Sequence, residues 1–284
     1  MSDIIVIGSG FAGLSASAHL AADGHSVQLL ERHDQPGGRA RTFTHEGFRF
    51  DMGPSWYWMP DVFERHFRNF GYDVSELYEL VRLDPSYQVV WPGGEAWDIP
   101  AGVEPLMRMF DSHEPGGGKK LERFLEDAGT IYGAAMGDYL FRPSLTFGEF
   151  VDFRLVKEVA RLRMLESMSK HARRFFNHPR LARLVEWPVL FLGASAKDTS
   201  AMYSLMSYAD MALGTWYPMG GMHKIIEAMF KVGQGLGVST QLSTRVRQIR
   251  VRKGRVTGVE TGTDSFHAMP YSRPQIIIMS NKTC

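Results

Sequence analysis

The chain opens on a continuous apolar run, Ile4-Ile5-Val6-Ile7, of the kind that fills a parallel strand buried on both faces. A strand is predicted over Asp3–Ile7, followed by the turn Gly8-Ser9-Gly10-Phe11-Ala12-Gly13. Phe11, Leu14, Ala18 and Ala21 then recur at helical spacing, and Gly24 stands where a left-handed residue ends a helix. A second short strand is expected over Ser26–Leu30, closing on Glu31, 18 residues after Gly13. Thr42–Thr44 and Phe48–Phe50 flank the turn His45-Glu46-Gly47 as a hairpin. Helical periodicity returns in Lys119–Tyr139, in Phe147–Phe176 and around Ile225, Ile226, Met229 and Phe230. Gly237–Leu242, Val246–Val251 and Val256–Thr261 read as strands, the last two joined by a turn at Lys253-Gly254. Glu114–Lys120, with three consecutive glycines, reads as a flexible loop.

The first forty residues have the order of a dinucleotide-binding βαβ unit. Gly8 permits the tight turn, Gly10 lets a pyrophosphate approach the backbone, and Gly13 lets the helix pack closely on the strand. The helix N-terminus offers free N–H groups and the positive end of its dipole to phosphate. Glu31 can accept hydrogen bonds from a ribose hydroxyl, and an acid there disfavours a 2′-phosphate, so NADP is not expected. The alternative is a glycine-rich turn of purely structural use.

A second glycine turn, Gln35-Pro36-Gly37-Gly38-Arg39-Ala40-Arg41-Thr42, and the segment Asp51-Met52-Gly53-Pro54-Ser55 follow. Together with the first turn and Glu31, this resembles the FAD-dependent amine oxidase and phytoene desaturase superfamily. Gly47–Ser55 and Trp216-Tyr217-Pro218-Met219-Gly220-Gly221-Met222 are similar to the bacterial carotenoid desaturases of the phytoene dehydrogenase type. The resemblance extends over residues 1–268. It implies an α/β fold: a Rossmann-like FAD-binding domain (residues 1–72 and 215–268) interrupted by a mainly helical substrate lobe (73–214). It implies FAD as cofactor, with Gly38 and Arg39 along the diphosphate, Pro54 and Ser55 near the flavin, and the Val246 backbone at the adenine. The expected cofactor-binding set is Gly8, Gly10, Ala12, Gly13, Glu31, Arg32, Gly38, Arg39, Pro54, Ser55 and Val246.

Composition narrows the partners. Lys and Arg number 32 against 31 Asp and Glu, a net charge of +1, which provides no global field for nucleic acid. One cysteine among 284 residues excludes an internal disulfide framework and a zinc site of several thiolates, and fits a reducing, cytoplasmic compartment. The ten histidines show no HExxH or comparable spacing, so no metal is expected. No positive region precedes the apolar N-terminus, as a signal peptide requires. The strongest apolar run, Trp187–Ala194, falls far short of the roughly 18 residues of a membrane span. Between Asp152 and Leu184 nine basic residues face three acids. Such a stretch suits either an anionic lipid surface, giving peripheral membrane contact on the cytoplasmic face, or a solvated helix face.

The chemistry the resemblance implies is desaturation of a lipid-dissolved polyene such as phytoene. Removing hydride needs an acceptor that no side chain provides, so a cofactor must supply it. Met and aromatic side chains suit a water-free polyene site, and the 16 methionines, with Trp56, Tyr57 and Trp58, are candidates. Packing between lobes is the alternative for the three aromatics. Many such desaturases carry an acid beside a proline in the inserted lobe; the matching place here is His178-Pro179, with His178 as candidate catalytic base. Other carotenoid-modifying flavoenzymes of the same branch (a diapophytoene or hydroxyneurosporene desaturase, a ketolase, an isomerase) fit these motifs too, as does an inactive nucleotide-binding fragment. Family members are usually much longer, so a C-terminally truncated fold is expected. Met269–Cys284 lacks the family's strand pattern and is expected to be an aberrant, out-of-frame tail without strand alternation.

Overall fold

The computed structural model describes residues 3–139, 165–262, 265–267 and 275–278. Its residues divide into two compact units, Met1–Val81 with Tyr217–Cys284, and Arg82–Trp216. The first break falls later than the expected one after residue 72. Asp73 caps the short turn Val74–Glu76 with a capping box, and Tyr78 packs on Tyr57 and Phe67, which ties this segment to the first unit.

The first unit is built on β1 (Asp3–Ile7), α1 (Phe11–Ala22) and β2 (Ser26–Leu30). These carry the bounds that periodicity predicts. Ile4, Ile5 and Val6 are buried, and β1 pairs β2 in parallel. The hairpin β3 (Thr42–His45) and β4 (Phe48–Asp51) turns through Glu46 and Gly47, at φ 49° and 83°, the paired positive angles that match strand twist. Next comes α2 (Pro60–Arg68). Tyr57 is buried and its hydroxyl shares a 2.9 Å hydrogen bond with Tyr78, so of the three candidate aromatics it belongs to the core.

The chain leaves the first unit along β5 (Leu80–Arg82), whose last residue opens the second. A hairpin of β6 (Tyr87–Val90) and β7 (Ala96–Ile99) follows. Then come α3 (Val103–His113), α4 (Gly117–Ala134), α5 (Met168–Phe175), α6 (Pro179–Glu186) and α7 (Ser204–Met211). One core joins Trp97, Phe110, Phe124, Phe176, Leu184 and Met211. A buried polar network crosses it: Tyr87 donates to Asp210 at 2.6 Å, Thr215 donates to the same carboxyl at 2.8 Å, and Trp187 Nε1 donates to the Tyr87 oxygen at 2.9 Å. Burial pushes the Asp210 carboxyl up to about 6, against the opposing pull of these hydrogen bonds. Much of the basic stretch (Arg154, Lys157, Arg161, Arg163) lies outside the described residues. Arg180, one of its members, is ion-paired to Glu95 and sits over Trp91 and Trp97 at 5.2 and 5.4 Å.

The chain returns to the first unit through β8 (Trp216–Pro218) and α8 (His223–Gly235), whose Ile225, Ile226 and Met229 are buried. β9 (Ser239–Gln241) pairs β2 in parallel. β10 (Val246–Arg252) and β11 (Arg255–Thr261) form a hairpin that β12 (Ser265–His267) extends. The last described segment corrects an expectation. Gln275–Ile278 forms β13, parallel to β1 and in register with Ile4–Ile7. Its three successive isoleucines repeat the β-branched run of β1, and β1 without them is an open edge. The sheet order is β13-β1-β2-β9.

The triple glycine is a second correction. Gly116 takes φ 74°, and Gly117 and Gly118 are buried in the first turn of α4, where the helix doubles back on α3. A Cβ on Gly117 would lie 2.6 Å from the Phe110 carbonyl oxygen, and one on Gly118 2.8 Å from that of Met107. These glycines serve close helix approach rather than flexibility. Gly117→Ala is therefore expected to lower stability by about 1–3 kcal/mol. Gly133→Ala on the same helix meets nothing within 4 Å, and is expected to gain about 0.5–1 kcal/mol. Chemical denaturation midpoints of the two variants test the opposite signs.

Candidate functional site

The candidate site lies within the first unit and is assembled around Ser9. β1 ends where Gly8, at φ 96°, turns the chain, with its N–H donating to Leu30 at 2.8 Å. The Ser9 N–H and hydroxyl then both donate to one Glu31 carboxylate oxygen, at 2.8 and 2.7 Å. The other carboxylate oxygen accepts the His33 N–H at 3.0 Å. The Ser9 carbonyl accepts the Gly37 N–H at 2.8 Å, which docks the second glycine turn on the first.

Glycine is required where these turns meet. A Cβ on Gly38 would stand 3.2 Å from the Gly10 Cα, and one on Gly13 would sit 1.8 Å from the Gly8 carbonyl oxygen. Gly37 and Gly38 also hold φ angles of 120° and 57°. Gly53 approaches the Arg39 carbonyl so closely that a Cβ would lie 2.2 Å away. The predicted residues Gly8, Gly10, Gly13, Glu31 and Gly38 are thus brought together. Ala12 and Arg39 are exposed beside them, and Pro54 and Ser55 follow Gly53. Arg32 is exposed, with its Nε donating to the His33 ring at 3.0 Å. Val246 packs against the cluster of Ile5, Leu30 and Val259; two residues before it, the Thr244 N–H donates to the Glu31 carbonyl at 2.7 Å.

Electrostatics suit an anion flanked by hydroxyls. Burial alone would raise the Glu31 pKa, but the hydrogen bonds from Ser9 and His33 outweigh it and hold the carboxyl below its ordinary range. Those three bonds leave a carboxylate, with its roughly four acceptor positions, room for a further donor. The first amides of α1 have no intrahelical acceptor, and no side chain caps them. The Arg39 guanidinium has no partner among the described residues. A dinucleotide with a diphosphate and a ribose diol fits these groups.

Two contributors were not legible. Asp51 accepts the Met222 and His223 N–H groups at 2.9 and 3.3 Å, capping α8 from another part of the chain. The His223 ring meets the Ala40 carbonyl at 3.0 Å. The segment before α8, Met219-Gly220-Gly221-Met222, has no local capping side chain, which is the signal that a cap comes from elsewhere. Ser9, the hub, sits inside the glycine turn, where the spacing of the glycines assigns it no role of its own.

His178 lies in the second unit, at the N-cap of α6. Its backbone N–H donates to Glu114 at 2.9 Å, and its ring is 6.1 Å from Trp97 and 6.0 Å from His113. Its Nδ1 is buried with no hydrogen-bond partner. Among the described residues, no group of three or more His, Cys, Asp or Glu could hold a metal ion.

The family model described as flavin containing amine oxidoreductase matches residues 11–268. A carotenoid 3,4-desaturase of Haloarcula japonica is 37% identical over 252 residues, covering 88% of this chain and 51% of the relative. A phytoene desaturase of Fusarium fujikuroi is 32% identical, covering 99% and 50%. Among solved structures, putrescine oxidase bound to putrescine aligns with a TM-score of 0.61 at 17% identity, covering 97% of this chain and 60% of that one. A fatty acid isomerase from P. acnes aligns at 0.60 and 17%, covering 98% and 59%; at such identity these two likenesses show the fold alone. The chain belongs to the flavin containing amine oxidoreductase family, and its cofactor is FAD. It spans about half the length of the curated relatives it matches.

The Glu31 shift sets a sign for pH. Because its carboxyl is easier to ionise when folded, it contributes stability above the unfolded value of 4.5, and that contribution is lost as pH falls through the lower folded value. Glu31→Gln is expected to lower the melting temperature at neutral pH and to flatten its decline in acid. Thermal melts of both proteins across that range check this; parallel curves would refute it.

Proposed function

We propose that this chain is the flavin-binding portion of an FAD-dependent carotenoid desaturase, acting on phytoene or a related polyene. The observation that carries the reading is the meeting of the two glycine turns beside Glu31, in a chain whose relatives are carotenoid desaturases. In this reading Gly8, Gly10, Ala12, Gly13, Gly38 and Arg39 hold the diphosphate. Glu31, with Arg32 beside it, takes the ribose; Pro54 and Ser55 border the flavin, and Val246 the adenine. When bound, FAD supplies the hydride acceptor that no side chain provides. The protein's own tasks are to orient a C–H bond of the polyene, exclude water and receive the proton left behind.

For that proton, His178 is the proposed acceptor, since its buried Nδ1 is uncommitted. The polyene is dissolved in lipid, so the reading includes peripheral contact with the cytoplasmic membrane face. No helix among the described residues is long and apolar enough to cross a membrane. A second reading, another carotenoid-modifying flavoenzyme, draws on a 31% identical 4,4'-diapolycopene oxygenase of Methylomonas sp.

Purified protein is expected to carry flavin absorbance, and Gly10→Val to abolish it; a colourless, well-folded wild type would leave only the nucleotide-binding fragment reading. Expression in phytoene-accumulating cells is expected to shift product toward longer conjugation, and oxygenated products would favour the second reading. His178→Gln is expected to lower turnover by about 100-fold at unchanged flavin content. Unchanged turnover with a lower melting temperature would assign the ring to packing.

A further inference from the structure

A cleft of about 380 Å³ in the second unit is lined by Ser167, Ser169, Lys170, Arg173, Arg174 and Lys197. The first five come from α5 and its N-cap; Lys197 comes from the loop that crosses them. This loop is pinned: the Met168 N–H donates to the Thr199 carbonyl at 2.8 Å, the Ser169 N–H donates to Ala196 at 2.9 Å, and Ser167 bridges Ser200. Within the loop, the Thr199 hydroxyl donates to Ser195 at 2.7 Å, and the Ser195 hydroxyl to Asp198 at 2.6 Å. Lys197 is therefore held over the helix by bonds that do not involve its own side chain.

The charges are unbalanced. Glu166 is engaged by Arg174 at 2.9 Å, whereas Lys170, Arg173 and Lys197 have no acidic partner among the described residues. Ser169 is 7% exposed, faces the cleft, and its hydroxyl has no partner among the described residues. The helix amides here are already satisfied, that of Lys170 by the Ser167 hydroxyl at 3.3 Å. Recognition thus falls to the cations and the Ser169 hydroxyl. Several Lys and Arg donors around the hydroxyl of one largely buried serine match the oxygens and charge of a phosphate, with Arg able to bond two oxygens at once.

We propose that this cleft is a binding site for a phosphate group, whether a phosphomonoester or the phosphodiester of an anionic lipid headgroup. It is independent of the flavin reading, because none of its residues belongs to the flavin set.

The test uses the full chain in two arms. One arm measures co-sedimentation with phosphatidylcholine vesicles containing phosphatidylglycerol against phosphatidylcholine alone. The other compares thermal melting in inorganic phosphate with melting in sodium chloride of equal ionic strength. The wild type is expected to respond in at least one arm, the first marking a headgroup and the second a free phosphate. Lys170→Glu with Arg173→Glu is expected to weaken that response at least about tenfold. Arg108→Glu with Arg123→Glu, the same charge change on exposed positions that do not line the cleft, is expected to retain it. Should the first pair fail to fold by circular dichroism, Ser169→Ala with Lys197→Gln takes its place, with the same loss expected. No response of the wild type in either arm, an undiminished response of the cleft variant, or an equal loss in the control pair would overturn the proposal.

Discussion

Ser9 holds the two glycine turns of the first unit together. Its amide and hydroxyl fasten Glu31, at the end of β2, and its carbonyl receives Gly37 from the second glycine turn. Three segments distant in sequence meet at one small residue. A side chain without a hydroxyl there would leave a buried carboxylate short of a donor. Net hydrogen-bond contributions are about 1 kcal/mol each, roughly doubled when one partner is charged, so the three bonds to Glu31 outweigh the cost of burying it. The direction of its pKa displacement agrees with that balance.

From this corner outward, each feature of the site follows from close backbone approach. Gly13 allows α1 to rest on the turn after β1, and Gly53 allows the segment after the hairpin to pass over Arg39. Asp51 ties that segment to the start of α8, so the two motifs that carried the family resemblance, about 170 residues apart, share one carboxylate. The consequence is a rigid cradle of amides, with Arg39 and a spare acceptor on Glu31 at its rim.

The second unit solves a different problem. It buries a large aromatic and aliphatic core and bonds some of the polar groups within it, as Asp210 to Tyr87 and Thr215, while others, Trp91 Nε1 and His178 Nδ1 among them, are buried without a hydrogen bond. Its basic residues have divided fates. Arg180 is spent on Glu95 and two tryptophans, whereas Lys170 and Arg173 line a cleft and have no acidic partner among the described residues. A count of basic residues along the chain could not separate these, because pairing depends on which strands and loops fold against each helix.

Local periodicity by itself determined β1, α1, β2, the first hairpin and α8, because each buries one continuous face or stripe whose pattern is written within a dozen residues. The glycine spacing and the acid at Glu31 likewise announced a dinucleotide site without reference to anything distant. Only the tertiary structure decided what lay between segments: that Gly117 and Gly118 admit α3 rather than loosen a loop, that Gln275–Ile278 joins the edge of β1, that Tyr57 turns to Tyr78, and that Ser9 and Asp51 act as ties. These contacts join separate elements, whether the partner lies on the preceding helix, as for Gly117, or more than 200 residues away, as for β13 and β1. A residue that makes one carries no mark in its neighbours, since the partner that gives it meaning belongs to another element and is set beside it only by the fold.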